Sequence, residues 1–289
     1  MTFATSAFLT VSALALGGLG ALFAGQCGML AFALEGVMLL GGLAGTLFSH
    51  GPLWLCLLIA GGVGAAYALL IFLPARFRGD GVFSGVALGG LATALAMLAA
   101  RWLGGVSYSR RAFQLLVNGE NVTVFLPLSL CALLLAWLLL YHTRLGAGLR
   151  LCGQDLEYAR RQGVRARGMQ CLGAVIFGFL GGLGGLAALI ALGAGWQLKW
   201  GVGGMGLLCL AAAKTGKWKP LPLALAAALL GLFRAGAEEL LRLGFGVPDG
   251  ALRLAPFLLA LLLLALQRGR DRAPLEAFRA ENAHPARMR

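Results

Sequence analysis

A single carboxylate, Glu35, lies in the apolar stretch "GMLAFALEGVMLLGG" at residues 28–42, and the next charged residue is Arg76. A lone charge at the centre of a membrane helix costs about 2.5–3.5 kcal/mol on insertion scales. Three roles remain open for it. Glu35 could couple transport to protons, could hydrogen-bond a substrate, or could brace a broken helix by accepting bonds from N–H groups freed near Gly28 and Gly36.

A second group of ionisable side chains lies in "RAGAEELLR", residues 234–242. Arg234 precedes Glu238 by four residues, and Glu238 precedes Arg242 by four, so both pairs can lie on one helix face. Ionisable residues inside membranes usually pair or face a water-filled interior. We expect structural pairing here rather than contact with a substrate.

Other reactive side chains form no pattern that is typical of catalysis. The sequence contains no P-loop, HExxH segment or nucleophile elbow, and these are the usual marks of nucleotide hydrolysis, zinc chemistry and acyl transfer. The three histidines and six cysteines lack the spacing of metal ligands. We therefore expect no catalytic residue and no metal site, and interpret the cysteines as small buried side chains.

The elements that position these residues are apolar. Hydrophobic residues make up 60% of the 289 residues and charged residues 12%, whereas a soluble domain has about 25% charged residues. The apolar runs are continuous rather than alternating, which favours helices over a β-barrel. The predicted fold is an all-α polytopic membrane protein with about 8–9 transmembrane helices, one or two of them broken or re-entrant.

Nine apolar spans are predicted, of which the first lacks the basic segment that precedes a cleaved signal peptide. The span 202–213 is too short to cross alone, so we expect it to be broken or re-entrant. The spans are 3–24, 28–49, 53–75, 82–103, 123–141, 169–194, 202–213, 221–242 and 251–267.

Basic residues indicate the topology. Of the 24 lysines and arginines, 17 lie in the segments 76–78, 142–167, 214–219 and 268–289, which fall on one side if all nine spans cross. Short cytoplasmic loops are rich in Lys and Arg, so the C-terminus is expected inside and the N-terminus outside. A re-entrant 202–213 would reverse the N-terminal placement. The net charge of +13 is thus interpreted as a topology signal, and no nucleic acid partner is expected.

Glycine is concentrated in the apolar spans. It allows helix backbones to approach closely and permits broken helices beside a cavity, and the cluster at 178–186 could serve both purposes. The residues predicted to line a translocation path or to support a broken helix are Gly28, Glu35, Gly36, Met38, Gly182, Gly185 and Gly204.

The basic segment 142–168 contains "DLEYARRQG", which predicts a helix of about two turns that ends near Gly163. Asp155 and Glu157 suit its first turn, and Arg160 and Arg161 suit its last, because these charges complement the helix dipole. Charge alone would also allow a solvated loop.

Three segments in order resemble ABC-importer permeases of the ribose, branched-chain amino acid and basic-membrane-protein (nucleoside-type) family. "LRLCGQDLEYARRQGVRARGMQCLG" is similar to their cytoplasmic coupling loop, the opening stretch to "GxLNIGLEGxM", and "LAAAKTGKWKPL" to "LAAxIxGxWxP". The matching positions are Gly153, Asp155, Ala159, Gly163 and Val164, then Gly28, Leu30, Leu34, Glu35, Gly36 and Met38, then Ala211, Gly216, Trp218 and Pro220. Ala31 and Phe32 replace the family's Asn–Ile, which removes a polar group from the proposed cavity.

The resemblance implies a single permease domain over 1–289, with a coupling loop at 142–168 and a cytoplasmic tail at 268–289, in the bacterial inner membrane. The implied partners are cytosolic ABC ATPase subunits, a second permease subunit (identical or different) and an extracytoplasmic substrate-binding protein. ATP would be used by the ATPase, and no cofactor would bind this chain directly. The ATPase contact would involve Gly153, Asp155, Glu157, Ala159, Arg160 and Gly163.

The Leu–Glu–Gly segment most resembles the nucleoside-type branch, so a nucleoside-like solute is the expected substrate. A flavin, a simple sugar or a branched-chain amino acid remains open within the same class. The alternative class is a stand-alone secondary transporter energised by an ion gradient. That class needs polar or charged residues at the midplane, and Glu35 is the main candidate.

Overall fold

Eleven α-helices, one 3₁₀-helix and one β-hairpin make up the described part of the chain. The computed structural model describes residues 3–29, 31–48, 52–76, 81–102, 114–117, 120–154, 156–192, 202–243 and 249–266. The helices are α1 Phe3–Gln26, α2 Leu34–Leu47, α3 Leu53–Arg76, α4 Gly81–Trp102, α5 Phe125–His142, α6 Arg144–Gln154, α7 Leu156–Arg161, α8 Ala166–Leu192, α9 Met205–Thr215, α10 Pro220–Leu243 and α11 Asp249–Leu266, and the 3₁₀-helix is Ala31–Ala33. Asp155, Leu30 and the tail 268–289 lie outside these residues.

Each of the nine predicted spans coincides with one apolar helical segment. Within the described residues, α1, α5, α8, α10 and the segment Leu53–Leu70 of α3 are long and apolar enough to cross a membrane. Shorter apolar helices cover Ala31–Leu47, Gly85–Ala96, Met205–Thr215 and Gly250–Leu266. The prediction of a polytopic helical membrane protein is confirmed.

Two strands occur between α4 and α5. β1 (Gln114–Val117) pairs antiparallel with β2 (Glu120–Thr123), and Val117 is the register partner of Glu120. The two strands lie directly before α5. This hairpin is a small addition to a fold that is otherwise helical.

Two spans are broken rather than continuous. The span predicted at 28–49 begins with a turn, in which Gly28 has a φ of +74°, continues as the 3₁₀-helix, and becomes α-helical only at Leu34. The short span predicted at 202–213 is α9, whose 11 residues correspond to about 16 Å at 1.5 Å per residue. This is half the roughly 30 Å hydrocarbon thickness of a bilayer.

Helix α1 runs through the centre of the bundle and is buried along most of its length. Three of its polar side chains are satisfied within the helix, because Ser6, Thr10 and Ser12 donate to backbone carbonyls three or four residues earlier, at 2.9, 2.8 and 2.7 Å. Such bonds remove the cost of an unpaired hydroxyl in an apolar interior. α1 can therefore contact apolar neighbours on every side.

Helices α2, α3 and α8 pack backbone against backbone. A Cβ atom on Gly185 would lie 1.8 Å from the Met38 carbonyl oxygen, and one on Gly182 would lie 2.2 Å from the Ala60 carbonyl oxygen. Lipid offers no hydrophobic drive for helix association, so close van der Waals contact of this kind is what holds membrane helices together. Gly182, Gly185 and the buried Met38 all lie in this contact.

The glycine contacts also define helix directions. Gly184 of α8 faces Ala13 of α1 and Gly173 faces Cys27, so α1 and α8 are antiparallel. Along α2, Gly41 faces Gly182 and Gly45 faces Leu186, so α2 and α8 are parallel. The start of α2 thus lies midway along α8.

Replacing Gly185 with alanine tests the backbone contact. Alanine favours a helix over glycine by about 1 kcal/mol, but the added methyl group must displace the Met38 backbone, and overpacking costs about 1–3 kcal/mol. We expect Gly185→Ala to lower the unfolding temperature of the detergent-solubilised protein. Gly62→Ala is the matched control, because a Cβ there has no atom within 4 Å. Equal stabilisation by both variants would contradict the packing.

Candidate functional site

The two broken spans meet at the N-termini of α2 and α9. Glu35 is the second residue of α2, and its Oε1 accepts a hydrogen bond of 2.9 Å from the N–H of Gly204, the residue before α9 begins. A Cβ on Gly206 would lie 2.6 Å from the Cα of Glu35, so glycine at this position permits the approach. The carboxylate therefore satisfies a helix N-terminus where the partial positive charge of the helix dipole favours an anion.

The peptide unit that joins Gly203 and Gly204 is held at both ends. Its N–H donates to Glu35, while its carbonyl oxygen accepts a 2.9 Å hydrogen bond from Nη1 of Arg234. Arg234 is 7% exposed, and its Nε donates to Glu238 Oε1 at 3.2 Å. Hydrogen bonds to charged groups are about twice as strong as neutral ones. We call this arrangement of Glu35, the 203–204 peptide and Arg234 the peptide clamp.

The backbone conformation of the clamp requires glycine. Gly203 and Gly204 have φ values of +64° and +73°, in the left-handed region that side chains with a Cβ disfavour. A Cβ on Gly204 would also lie 2.5 Å from Cζ of Phe257 in α11. The sequence predicted Gly204 as a site residue from its apolar glycine-rich context, and its structural neighbours explain why glycine occurs there.

The donor to Glu35 lies 169 residues away in the sequence, whereas the sequence pointed to N–H groups near Gly28 and Gly36. Gly36 instead packs against α4, where its Cβ would lie 2.6 Å from that of Ala92. Gly28 lies apart from Glu35, next to α6. The three residues are close in sequence but contact different parts of the molecule.

The prediction that Arg242 pairs with Glu238 in α10 is wrong. Arg234 and Glu238 pair as the spacing indicated, but Arg242 lies 3.5 Å from Glu239, three residues earlier, rather than with Glu238. Both i,i+3 and i,i+4 neighbours are close on a helix. Glu238 is already engaged by Arg234, so Arg242 pairs with the more exposed Glu239. No pattern in the local sequence indicated that Arg234 would bind the Gly203 carbonyl oxygen.

The three segments that resemble the permease family meet at the end of the bundle that carries α6. A Cβ on Gly28 would lie 3.4 Å from the Cys152 carbonyl oxygen, and one on Gly153 would lie 2.4 Å from the Gln26 carbonyl oxygen. The Gln26 side chain donates to the Trp218 carbonyl oxygen at 2.8 Å. The end of α1, the end of α6 and the turn between α9 and α10 thus form one contact, to which the sequence did not assign Gln26.

The turn between α9 and α10 holds two strained residues. Lys217 and Trp218 have φ values of +52° and +53°, a left-handed conformation that costs non-glycine residues of order 1–3 kcal/mol. The Trp218 ring covers Gly25, where a Cβ would lie 2.3 Å from the ring. The Trp218 N–H donates to the Ala213 carbonyl oxygen at 3.1 Å. Surrounding contacts therefore maintain the turn.

Helix α6 folds back sharply on α5. Thr143 begins the turn, and its Oγ1 accepts from the Gly146 N–H at 3.1 Å, as a helix N-cap does. A Cβ on Gly146 would lie 2.1 Å from the Leu139 carbonyl oxygen, so the two helices touch at the backbone. Cys152 faces the protein, and burial raises the pKa of its thiol, which keeps it protonated at neutral pH.

Helix α7 presents arginines outward and alanine inward. Ala159 is fully buried with Cys152 and Ala166, whereas Arg160 and Arg161 are exposed. The helix ends at the predicted place, because Gly163 has a φ of +77° and the Val164 N–H donates to the Ala159 carbonyl oxygen at 3.0 Å, an arrangement typical of glycine-terminated helices. Glu157 lies in α7, and Asp155 lies outside the described residues.

The chain is similar in sequence to transport permeases. A family model described as "branched-chain amino acid transport system / permease component" matches residues 3–266. The nucleoside ABC transporter permease protein NupC of Lactococcus lactis is 27% identical over 295 residues, covering 89% of each chain. The guanosine ABC transporter permease protein NupQ of Bacillus subtilis is 29% identical, covering 89% of this chain and 88% of that protein.

A third relative is the putative glucose ABC transporter permease protein TsgC13 of Haloferax volcanii. It is 29% identical over 242 residues, which cover 77% of this chain and 72% of that protein. The family model spans residues 3–266, so the matched region includes both the clamp and the α6–α7 region.

Replacing Glu35 tests the clamp. Glu35→Ala leaves the Gly204 N–H without its acceptor, and an unsatisfied buried donor costs about 1–3 kcal/mol, so we expect a lower unfolding temperature in detergent. Glu35→Gln keeps a carbonyl oxygen that can accept the same bond and should lose less. Glu239→Ala is the control, because Glu239 is half-exposed and its ion pair, with Arg242, lies within α10. A Glu35→Ala variant as stable as Glu239→Ala would refute the bracing role.

Proposed function

The chain belongs to the family of branched-chain amino acid transport system permease components, and we propose that its substrate is a nucleoside carried by a binding-protein-dependent ABC importer. The observation that carries the substrate class is the similarity to a nucleoside permease and a guanosine permease over 89% of the chain. The chain itself is a multi-pass transport subunit, and its sequence contains no P-loop. In this proposal a separate ATPase subunit binds and hydrolyses ATP and so supplies the energy.

The translocation path is proposed to lie beside the peptide clamp. If the Trp218 turn lies at the membrane boundary, the roughly 16 Å length of α9 puts Gly204 near the bilayer midplane. Broken helices whose positive N-termini meet at the midplane build substrate sites in several transporter folds. Glu35, Gly36, Met38 and Gly204 belong to this region in the proposal, and Gly182 and Gly185 support it by holding α8 against α2 and α3.

The ATPase is proposed to dock on α6 and α7. Exposed Arg160 would make the contact, while buried Ala159 holds α7 against α6 and α8. Gly153 permits the close approach of α6 to the end of α1, and Gly163 ends α7. Asp155 and Glu157 complete the proposed coupling segment by sequence.

The proposed topology rests on the basic residues at the end of the bundle that carries α6 and α7. Residues 142–168 and 214–219 carry many of the basic residues, and short basic loops lie in the cytoplasm. Gln26, at the end of α1, contacts the Trp218 turn, so α1 would run from the outside to the cytoplasm of the bacterial inner membrane. The tail 268–289 would be cytoplasmic.

Assembly into an importer requires further subunits in this proposal. A second permease, identical or different, would enclose the path with this one, and an extracytoplasmic binding protein would deliver the nucleoside. The whole of residues 1–289 would act as one permease domain.

A proton-coupled transporter receives no support from the position of Glu35. The carboxylate is already the acceptor for the Gly204 N–H, and the relatives NupC and NupQ are ABC transporter permeases. Glu35→Gln should therefore retain most nucleoside uptake between pH 6 and pH 8 in the assembled transporter, with uptake measured in cells that lack other nucleoside transporters. Loss of uptake in a stable Glu35→Gln variant would favour proton carriage or direct contact with the substrate.

Energy use is tested in proteoliposomes. We expect labelled guanosine or another nucleoside to accumulate only when the permease is reconstituted with its ATPase, its binding protein and ATP. Unlabelled nucleoside should compete, whereas glucose and leucine should not. Accumulation by this chain alone on an ion gradient would overturn the ABC mechanism, and competition by glucose alone would overturn the substrate class.

The docking surface is tested by charge reversal at an exposed position of α7. Arg160→Glu should reduce ATPase co-purification and uptake at least about tenfold, since reversing a charge at an interface creates like-charge repulsion. Arg253→Glu, in α11, is the control for an equal change of charge. Ala159→Asp should instead destabilise the protein, because the new carboxylate would be buried. Normal ATPase binding by Arg160→Glu would refute the assignment.

A further inference from the structure

One face of α5 is an apolar surface that ends in aromatic and basic side chains. Its exposed residues recur at helical spacing and point to one side of the helix. They are Leu130, Leu134, Trp137, Leu138 and Tyr141. We call this surface the α5 face. Its side chains change along the helix from leucines to aromatic residues, which is the order found from the bilayer core to its interface.

The aromatic end of the α5 face carries a cation. The guanidinium carbon of Arg150, in α6, lies 5.1 Å from the centre of the Tyr141 ring, a distance at which a cation is attracted to an aromatic face. Trp137 lies 6.4 Å from Tyr141 and 4.7 Å from His142, measured between ring centres. Trp137 and Tyr141 are 38% and 42% exposed, so both rings remain accessible from outside the bundle.

Arg150 has no acidic partner among the described residues. Its Nε is enclosed and has no hydrogen-bond acceptor in that part of the chain, and no ion pair joins it to a described carboxylate. The positions of α5 and α6 keep the charge there, because the backbones of the two helices touch at Gly146. A guanidinium suits a phosphate group, to which it can donate two parallel hydrogen bonds.

We propose that Arg150 binds the headgroup phosphate of an anionic phospholipid whose acyl chain lies along the α5 face. The leucines supply the apolar contact, Trp137 and Tyr141 flank the glycerol region, and Arg150 supplies the charge. A free phosphate ion would gain nothing from the leucines. A cytosolic protein would not reach them, because they lie within the length of an apolar helix that can cross the membrane.

The place of Arg150 in the fold gives the lipid a structural role. Arg150 lies in α6, the helix that precedes α7 and contacts the end of α1 through Gly153. A lipid that contacts both the α5 face and Arg150 would therefore stabilise the packing of α6 against α5. This inference does not depend on the substrate or on the ATPase, so its test is separate from those above.

The test measures lipid retained by the purified full-length chain in native mass spectrometry. Phosphatidylglycerol and phosphatidylcholine with the same acyl chains are added in turn to the delipidated protein. We expect wild type to retain phosphatidylglycerol preferentially. Arg150→Gln should lower that retention about fivefold, consistent with the contribution of one basic residue near a membrane surface, and should leave phosphatidylcholine retention unchanged.

Two variants control for charge and for folding. Arg165→Gln removes the same charge from an exposed position between α7 and α8 and should retain phosphatidylglycerol like wild type. Arg150→Lys keeps the charge and should retain an intermediate amount, because it loses the planar guanidinium. Unfolding temperatures in detergent show whether each variant is folded, and phosphatidylglycerol should raise that of wild type more than that of Arg150→Gln.

Several results would overturn the proposal. Equal retention of the two lipids by wild type would show that the headgroup charge is not recognised. Equal loss in Arg150→Gln and Arg165→Gln would show that only net charge matters. Displacement of phosphatidylglycerol by millimolar inorganic phosphate would identify a free-phosphate site. Disulfide cross-linking of two chains through a cysteine at Leu134 in a cysteine-free background would show that a second copy covers the face.

Discussion

One peptide unit, between Gly203 and Gly204, connects the two broken spans of this protein. A guanidinium holds its carbonyl oxygen and a carboxylate holds its N–H. Ionised groups are expensive inside a membrane unless they are paired and hydrogen-bonded. Glu35 and Arg234 can lie there because the peptide unit pairs with both of them, and because Glu238 also pairs with Arg234. The same contact joins α2, α9 and α10, and Phe257 brings α11 against it.

The rest of the bundle holds this contact in place through close backbone packing. Glycines in α2, α3 and α8 bring carbonyl oxygens and Cα atoms to distances that leave no room for a methyl group. In lipid, this packing replaces the hydrophobic drive that would assemble a soluble core. α9 extends from the clamp at its N-terminus to the strained turn at Trp218, which contacts the end of α1 beside Gly153. A short helix thus connects the proposed path to the proposed ATPase-docking surface.

This arrangement is consistent with a transporter whose energy source is a separate subunit. Glu35 and Arg234 bind backbone groups, and many of the exposed basic residues lie at the end of the bundle that carries α6 and α7. The glycine-rich interior has few polar side chains that would indicate which substrate binds. For this reason the substrate class is better indicated by similarity to relatives along the whole chain than by any one side chain.

The sequence alone determined the apolar helical segments and the short helix α7, because continuous apolar runs and glycine-ended helices depend on residues only a few positions apart. It did not predict α6 or the strands β1 and β2. It predicted all nine apolar segments, the shortness of α9, the Arg234–Glu238 pair and the end of α7 at Gly163. The tertiary structure decided which side chains contact each other. The donor to Glu35 lies 169 residues away, Arg242 pairs with Glu239 because Arg234 engages Glu238, and Ala159 faces inward because Cys152 and Ala166 pack on it. Such contacts depend on how distant helices fit together, and local spacing carries no information about that fit.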